Sequence, residues 1–136
     1  MALMKVLFVC TGNAFRSPLA EAMLKKLKPD ISVDSAGTNP PFVPVSRAAR
    51  KFLEKEDAEQ FLKEYPEVLD SKNLDEYDLI VAMEPRHKVI LLRKCPECEN
   101  RIVVWNISDP YFAPNEQTEK MFEQIRQKVK ELADSL

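Results

Sequence analysis

The chain has 136 residues, of which 45% are hydrophobic and 31% are charged, and its formal net charge is −2. These values predict one soluble globular domain over residues 1–136, with no basic surface for nucleic acid. No apolar run approaches the roughly 20 residues of a membrane span, and no secretory leader is expected. The two glycines are too few for a dinucleotide-binding fingerprint or a Walker phosphate loop. The three cysteines are an odd number, which favours a reducing cytoplasm over a disulfide scaffold.

The first part of the chain predicts two strands around one helix. An apolar, valine-containing run over residues 4–9 predicts a buried parallel strand, and helical spacing follows over residues 18–27. Ser17 is suited to cap this helix, with the proline after it at the first helical position. Residues 31–34 alternate as a second strand does, and a turn is expected at residues 35–38.

The remainder continues the alternation of helices and strands. Ser46 is suited to cap a helix that runs to about residue 56. Residues 57–74 receive no assignment, although they carry apolar anchors at Phe61, Leu62, Tyr65, Val68 and Leu69. Further elements are predicted as a strand over 78–83, a helix over 85–93, a strand over 101–105 that Ile107 extends, and an amphipathic helix over 115–136. The pattern predicts an α/β fold: a single-domain, three-layer sandwich with a four-stranded, mostly parallel sheet flanked by helices.

Residues 10–17, between the first strand and the first helix, predict an anion site with a nucleophile. A helix N-terminus presents unpaired N–H groups and a favourable dipole, and Arg16 is able to bind two oxygens of a phosphate. Gly12 permits a tight turn or close approach of a ligand, and Asn13 tolerates left-handed backbone. The same field favours the thiolate form of Cys10. The alternative is that Cys10 is a small buried hydrophobe and Arg16 a surface charge.

Three motifs resemble those of one enzyme family, in the family's order. They lie at residues 9–22 (Val-Cys-Thr-Gly-Asn, then Arg-Ser-Pro-Leu-Ala-Glu-Ala), 35–38 (Ser-Ala-Gly-Thr) and 109–111 (Asp-Pro-Tyr). The chain resembles the low-molecular-weight protein tyrosine phosphatases and their arsenate-reductase and phosphoarginine-phosphatase relatives over essentially its whole length. The resemblance implies a cytoplasmic enzyme that hydrolyses phosphotyrosine in proteins through a phosphocysteine intermediate, with no cofactor and no metal. We expect a monomer or a weak dimer that binds a phosphorylated protein and neither nucleic acid nor membrane.

The resemblance also implies a role for each residue of the site. Cys10 is the nucleophile, Arg16 and the loop N–H groups bind the phosphoryl oxygens, and Asp109 is the general acid. On the residues alone, Asp109 with its following proline also fits the start of a turn. The implied phosphate-binding loop consists of Thr11, Gly12, Asn13, Ala14, Phe15, Arg16 and Ser17.

Further roles concern the support and the mouth of the site. By resemblance, the Ser17 hydroxyl hydrogen-bonds the thiolate and Asn13 braces the loop, partly through Ser35; a plain helix cap is the alternative for Ser17. Phe42, Tyr111 and Phe112 are predicted to line the substrate mouth. For Phe42, the alternative is an inward-facing core residue.

Several positions depart from the family pattern or leave alternatives open. Phe15 replaces a second loop cysteine, which excludes a disulfide inside the loop. His87, the sole histidine, is expected to be an exposed or half-buried helix residue without a catalytic role. Cys95 and Cys98 fit a plain pair near a helix end, a redox pair as in arsenate reductases, or two ligands of a zinc site that would require others. Thr11 resembles the phosphoarginine branch, so phosphoarginine hydrolysis and arsenate reduction are alternatives, as is an inactive phosphate reader.

Overall fold

The computed structural model describes residues 4–109 and 115–136. Its centre is a four-stranded sheet in the order β2-β1-β3-β4 in which every pair is parallel. The strands are β1 (Lys5–Cys10), β2 (Ser32–Gly37), β3 (Leu79–Ala82) and β4 (Ile102–Val104). The predicted mostly parallel sheet is therefore confirmed, and the apolar runs are explained by burial on both faces.

Helices cover both faces of the sheet and complete the predicted three layers. They are α1 (Arg16–Leu27), α2 (Arg47–Lys55), α3 (Pro85–Lys94) and α4 (Asn115–Ser135). Inward side chains of β1 alternate between two cores: Val6 and Phe8 pack with α1, α2 and α4, whereas Leu7 and Val9 pack with α3. Ser46 caps α2 as predicted, its hydroxyl accepting from two backbone N–H groups. None of the described helices is long and apolar enough to cross a membrane.

Two boundaries differ from the prediction in ways that matter for the site. Helix α1 begins at Arg16, and Phe15 precedes it without a side-chain cap. The prediction of Ser17 as a cap is therefore wrong, because its hydroxyl lies inside the helix and is engaged by Cys10. The expected turn at residues 35–38 is also wrong, because β2 continues to Gly37 in register with β1.

The unassigned segment forms three short 3-10 turns, Glu59–Phe61, Leu69–Ser71 and Leu74–Glu76. Of its expected anchors, Leu69 is buried, whereas Tyr65 and Val68 are exposed and do not belong to the core. The segment lies along the end of β2, where the Gly37 N–H donates to the Glu67 carbonyl. Three of its polar residues, Lys63, Glu67 and Lys72, therefore contact the sheet edge or the loop beside it.

The last strand is shorter than predicted. It ends at Val104, and Asn106 adopts a left-handed φ of 58° that breaks the extended run. The N–H groups of Trp105 and Ile107 still donate to carbonyls at the end of β3. This path carries the chain to Asp109 at the carboxyl edge of the sheet, where parallel α/β folds bind ligands.

Candidate active site

Cys10 ends β1 and is 2% exposed. The Asn13 N–H donates to its sulfur at 3.1 Å, and its sulfur lies 2.9 Å from the Ser17 hydroxyl oxygen. That hydroxyl accepts from the Asn13 side-chain amide at 2.8 Å, which leaves its proton available to the sulfur. Two donors and the N-terminus of α1 therefore surround the Cys10 sulfur.

Asn13 shapes the loop. Its φ of 51° is left-handed, as expected for an asparagine in a tight turn. Its side-chain nitrogen donates to Ser17 and, at 2.9 Å, to the Ser35 hydroxyl, while its side-chain oxygen accepts from Lys63 at 3.1 Å and from the Glu67 N–H at 2.8 Å. The Asn13–Ser35 contact implied by the family resemblance is present. Every hydrogen-bonding group of this buried amide is satisfied, so its conformation is fixed.

Behind Asn13 lies a partly buried charged network that the sequence did not reveal. The Lys63 ammonium, with its side chain 10% exposed, donates to the Ser35 carbonyl at 2.8 Å and pairs with Glu67. On the other side, the Ser35 hydroxyl donates to Glu21 of α1. Lys63 and Glu67 are four residues apart, but that spacing is common on exposed surfaces and gives no signal of a site.

The network continues to the edge of the sheet through Asp34, Lys72 and Tyr77. The Lys72 ammonium donates to the Asp34 carboxylate at 2.6 Å, and the Tyr77 hydroxyl donates to it at 3.2 Å. Burial raises the pKa of Asp34, but the Lys72 hydrogen bond and the Ser35 N–H outweigh burial and hold the pKa below its ordinary value. Burial and the neighbouring Asp34 charge raise the pKa of Tyr77 to about 12. These charges therefore stay paired at neutral pH.

The close approach at the loop involves Gly37 rather than Gly12. A Cβ at Gly37 would lie 2.6 Å from the Thr11 carbonyl oxygen and 2.9 Å from the Asn13 nitrogen. A Cβ at Gly12 would meet its nearest atom, in Pro41, at 3.7 Å, and neither glycine has a positive φ. The predicted turn function of Gly12 is thus not required by its backbone, whereas Gly37 lets β2 lie against the loop.

Arg16 is 2% exposed despite its charge. Its Nη1 donates to Glu84 at 2.6 Å and to the Ile107 carbonyl at 2.7 Å, and its Nη2 lies 3.6 Å from the Asp109 carboxylate. Burial raises the pKa of Glu84, but the hydrogen bonds from Arg16 and Arg86 outweigh it and hold the pKa below its ordinary value. The alternative of a surface arginine is therefore wrong. The sequence does not predict a role for Glu84, because its partner Arg16 lies 68 residues away.

A cavity of about 680 Å³ opens above the loop. Cys10, Thr11, Arg16 and Asp109 lie on its wall, so the structure brings the sequence-predicted nucleophile, cation and acid to one place. The Asp109 side chain is 39% exposed. An anion in this cavity meets the loop, the guanidinium and a partly exposed carboxyl group.

The other wall of the cavity comes from the proline-rich loop, through Pro41, Val43 and Pro44. Phe42 is fully exposed, so the alternative of an inward-facing core residue is wrong, and its neighbours rather than Phe42 line the cavity. The other two residues predicted for the mouth, Tyr111 and Phe112, lie outside the described residues.

His87 differs from the prediction. It is on α3 as expected, but it is 1% exposed rather than half-buried or exposed. Its Nε2 lies 2.8 Å from the Thr11 hydroxyl oxygen. Burial and the nearby Arg16 charge lower the pKa of His87 to about 4, so the ring is neutral at physiological pH.

Cys95 and Cys98 form a disulfide at the C-terminal end of α3, and Cys10 is a free thiol. Asp75 lies beside the pair, but the Arg101 guanidinium is 2.7 Å from the Cys98 sulfur, which disfavours a metal cation there. His87 touches the loop near the start of α3, eight residues before Cys95. At 1.5 Å per residue this separates the pair from the loop contact by about 12 Å.

Comparison with known proteins gives one consistent family. Residues 5–136 match the model of the low molecular weight phosphotyrosine protein phosphatases. The low molecular weight protein-tyrosine-phosphatase Wzb of Salmonella typhi is 31% identical over 97% of this chain and 93% of that protein. The protein-arginine-phosphatase of Geobacillus stearothermophilus is 27% identical over 97% and 95%, respectively. The structure of Vibrio vulnificus Wzb in complex with benzylphosphonate superimposes with a TM-score of 0.88 at 27% identity, covering 99% of this chain and all 100% of that one.

Proposed function

The chain belongs to the low molecular weight phosphotyrosine protein phosphatase family, and from that premise we propose that it hydrolyses phosphotyrosine in proteins through a phosphocysteine intermediate on Cys10. The observation that carries the proposal is the position of the Cys10 sulfur. It lies 3.1 Å from the Asn13 nitrogen and 2.9 Å from the Ser17 hydroxyl, in a cavity that Arg16 and Asp109 also line.

In the first step the Cys10 thiolate attacks phosphorus. The S–P bond forms as the bond from phosphorus to the tyrosine oxygen breaks, and Asp109 gives its proton to that oxygen. Loop N–H groups and Arg16 bind the non-bridging oxygens while their charge is redistributed. Because Glu84 and the Ile107 carbonyl fix Nη1 of Arg16, the guanidinium needs little reorganisation when the substrate enters.

In the second step Asp109, now a carboxylate, takes a proton from a water molecule whose oxygen attacks phosphorus. The S–P bond breaks, inorganic phosphate leaves, and the thiolate is regenerated. Asp109 thus serves as acid and then as base. Protein groups supply the nucleophile, the positive charge and the proton, so the proposed cycle uses no cofactor.

The test is hydrolysis of a phosphotyrosine peptide by the wild type, Cys10→Ser and Asp109→Ala. We expect no turnover for Cys10→Ser and a loss of about 10²- to 10⁴-fold for Asp109→Ala. The loss in Asp109→Ala should shrink with 4-nitrophenyl phosphate, because its acidic leaving group needs less protonation. Asp134→Ala, an exposed carboxylate on α4, is the matched control and should keep wild-type turnover. Activity in Cys10→Ser equal to the wild type would reject the proposal.

Phosphoarginine is the second candidate substrate, because Thr11, which carries a hydroxyl, lines the cavity and one relative is named a protein-arginine-phosphatase. A hydroxyl is able to hydrogen-bond a guanidinium leaving group, whereas an apolar side chain is not. The two substrates should be compared with the wild type and Thr11→Ile. A wild-type preference for phosphoarginine that Thr11→Ile abolishes would favour this candidate, whereas a preference for phosphotyrosine in both would exclude it.

Two other functions, arsenate reduction and phosphate binding without catalysis, fit the structure less well. Arsenate reduction would require Cys95 and Cys98 to supply two electrons as thiols, but they already form a disulfide, about 12 Å along α3 from the loop contact. An inactive phosphate reader would not need the acid that Asp109 supplies. We further propose a single domain over residues 1–136, monomeric or weakly dimeric, in the cytoplasm. A reducing compartment protects the free Cys10 thiol from oxidation, and there the Cys95–Cys98 disulfide would be reduced to two thiols.

A further inference from the structure

His87 is a buried side chain whose two ring nitrogens both have partners, and the proposed chemistry does not use it. Its Nδ1 lies 3.1 Å from the backbone nitrogen of Glu84, and its Nε2 lies 2.8 Å from the Thr11 hydroxyl oxygen. The ring therefore connects the start of α3 to the phosphate-binding loop. Contacts on both sides fix its orientation, and burial excludes water from it.

The direction of these hydrogen bonds follows from the partners. A backbone N–H donates and cannot accept, so Nδ1 accepts from Glu84 and carries no proton. The ring is neutral at physiological pH, since burial and Arg16 lower the pKa of His87 to about 4. A neutral imidazole carries one proton, which is then on Nε2. His87 consequently donates to Thr11.

The hydrogen bond from His87 determines which hydrogen bond the Thr11 hydroxyl can still make. Its hydroxyl oxygen accepts from His87 and retains one proton to donate. Thr11 also lines the cavity with Cys10, Arg16 and Asp109. A substrate in that cavity presents charged phosphoryl oxygens, which are the strongest acceptors available there.

We propose that His87 is a positioning residue that turns the Thr11 hydroxyl proton toward the cavity, where it donates to a non-bridging oxygen of the substrate's phosphoryl group. The inference rests on the proposed function. It adds one donor to the loop N–H groups and Arg16, and it assigns a task to the sole histidine of the chain. The Thr11 donor persists through both steps of the cycle, because the phosphoryl oxygens remain in the loop until phosphate leaves.

The test uses a matched pair of variants at His87. The side-chain oxygen of His87→Asn reaches the Nδ1 position and keeps the contact with Glu84, but its amide falls short of Thr11. The amide nitrogen of His87→Gln reaches the Nε2 position and keeps the donation to Thr11. If His87 serves only as a helix cap, Asn should be the better replacement; if it positions Thr11, Gln should be.

With the phosphotyrosine peptide, we expect kcat/KM to fall about 10- to 100-fold in His87→Asn and in Thr11→Val, the loss of one hydrogen bond to a charged group. His87→Gln should recover most of the activity. In the double variant, His87→Asn should add less than about twofold to Thr11→Val, because both remove the same interaction. Thermal unfolding of each variant gives the folded fraction by which its rate is normalised.

Two results would overturn the inference: multiplicative losses in the double variant, or equal activities for His87→Asn and His87→Gln. Cys10→Ser, measured in parallel, keeps this outcome separate from that of the proposed function. An inactive Cys10→Ser with independent His87 and Thr11 effects rejects the positioning role alone. A fully active Cys10→Ser rejects the phosphatase mechanism and the positioning role with it.

Discussion

Replacing Gly37 with alanine should displace the phosphate-binding loop, although Gly37 does not itself line the cavity. The new Cβ would lie 2.6 Å from the Thr11 carbonyl oxygen, whereas ordinary contacts begin at 3.4 Å, so the two must separate by about 0.8 Å. The loop cannot withdraw easily, because the Thr11 carbonyl accepts from the Asn39 N–H at 2.8 Å and the Cys10 carbonyl from the Thr38 N–H at 3.0 Å. Any shift therefore also moves Cys10.

The magnitude follows from that displacement. A misplacement of about 1 Å costs on the order of 10²-fold in rate, and overpacking of this kind costs about 1–3 kcal/mol of unfolding free energy. The stability loss is partly offset by the lower chain entropy of alanine, worth up to about 1 kcal/mol. We therefore expect Gly37→Ala to remain folded at 25 °C and to lose about 10²-fold in kcat.

The assay combines urea unfolding with turnover of 4-nitrophenyl phosphate. Gly12→Ala is the matched control for stability, because its Cβ meets its nearest neighbour at 3.7 Å, and it should unfold within about 0.5 kcal/mol of the wild type. If Gly37→Ala keeps both wild-type stability and wild-type kcat, the close approach of β2 to the loop does not set the geometry of Cys10.

Three further predictions concern the groups around the loop. Removing the buried ammonium in Lys63→Met should cost about 1–3 kcal/mol of unfolding free energy and lower kcat, because Asn13 loses a charged donor. Lys63→Arg, which keeps the charge, should lose less stability and less activity. Urea unfolding and turnover measure the two effects. The folded-state pKa of His87 is lowered from 6.5 to about 4, so between these pH values the unfolded chain binds the extra proton and stability falls as pH falls. About 1 kcal/mol should be lost between about pH 7.5 and about pH 5.5; urea titrations of His87→Gln should lack this component, and an unchanged slope would contradict it. Replacing Cys95 and Cys98 together by serine should leave phosphatase turnover within about twofold, because the pair is distant from the loop; a total loss of turnover in the folded variant would implicate the pair in the chemistry.

The features that the sequence predicted correctly have local causes. The apolar run of β1 and the helical spacing of α1 predicted the strand and helix on either side of residues 10–17. The carboxyl-edge position of Asp109 followed from the parallel sheet, because every strand of such a sheet ends at the same edge. Asn13 adopts the left-handed backbone that its short polar side chain tolerates.

The features that were missed depend on contacts distant in sequence. Glu84 binds Arg16 across 68 positions, His87 contacts Thr11 across 76, and Lys63 reaches Asn13 across 50. No periodicity marks such partners, since each lies in a segment whose local pattern is an ordinary helix or a polar loop. The prediction that Ser17 caps the helix was wrong for a related reason. Local propensity favours a cap at this position, but the Ser17 hydroxyl instead contacts Cys10 and Asn13.

Formation of phosphocysteine on Cys10 distinguishes the proposed mechanism from any other route of hydrolysis. The wild type and Cys10→Ser should be mixed with 4-nitrophenyl phosphate, quenched in acid within the first turnover, digested, and examined by mass spectrometry. We expect one phosphoryl group on the wild-type peptide that contains Cys10 and none on any peptide of Cys10→Ser. A phosphoryl group on another residue, or full product release by Cys10→Ser, would contradict it.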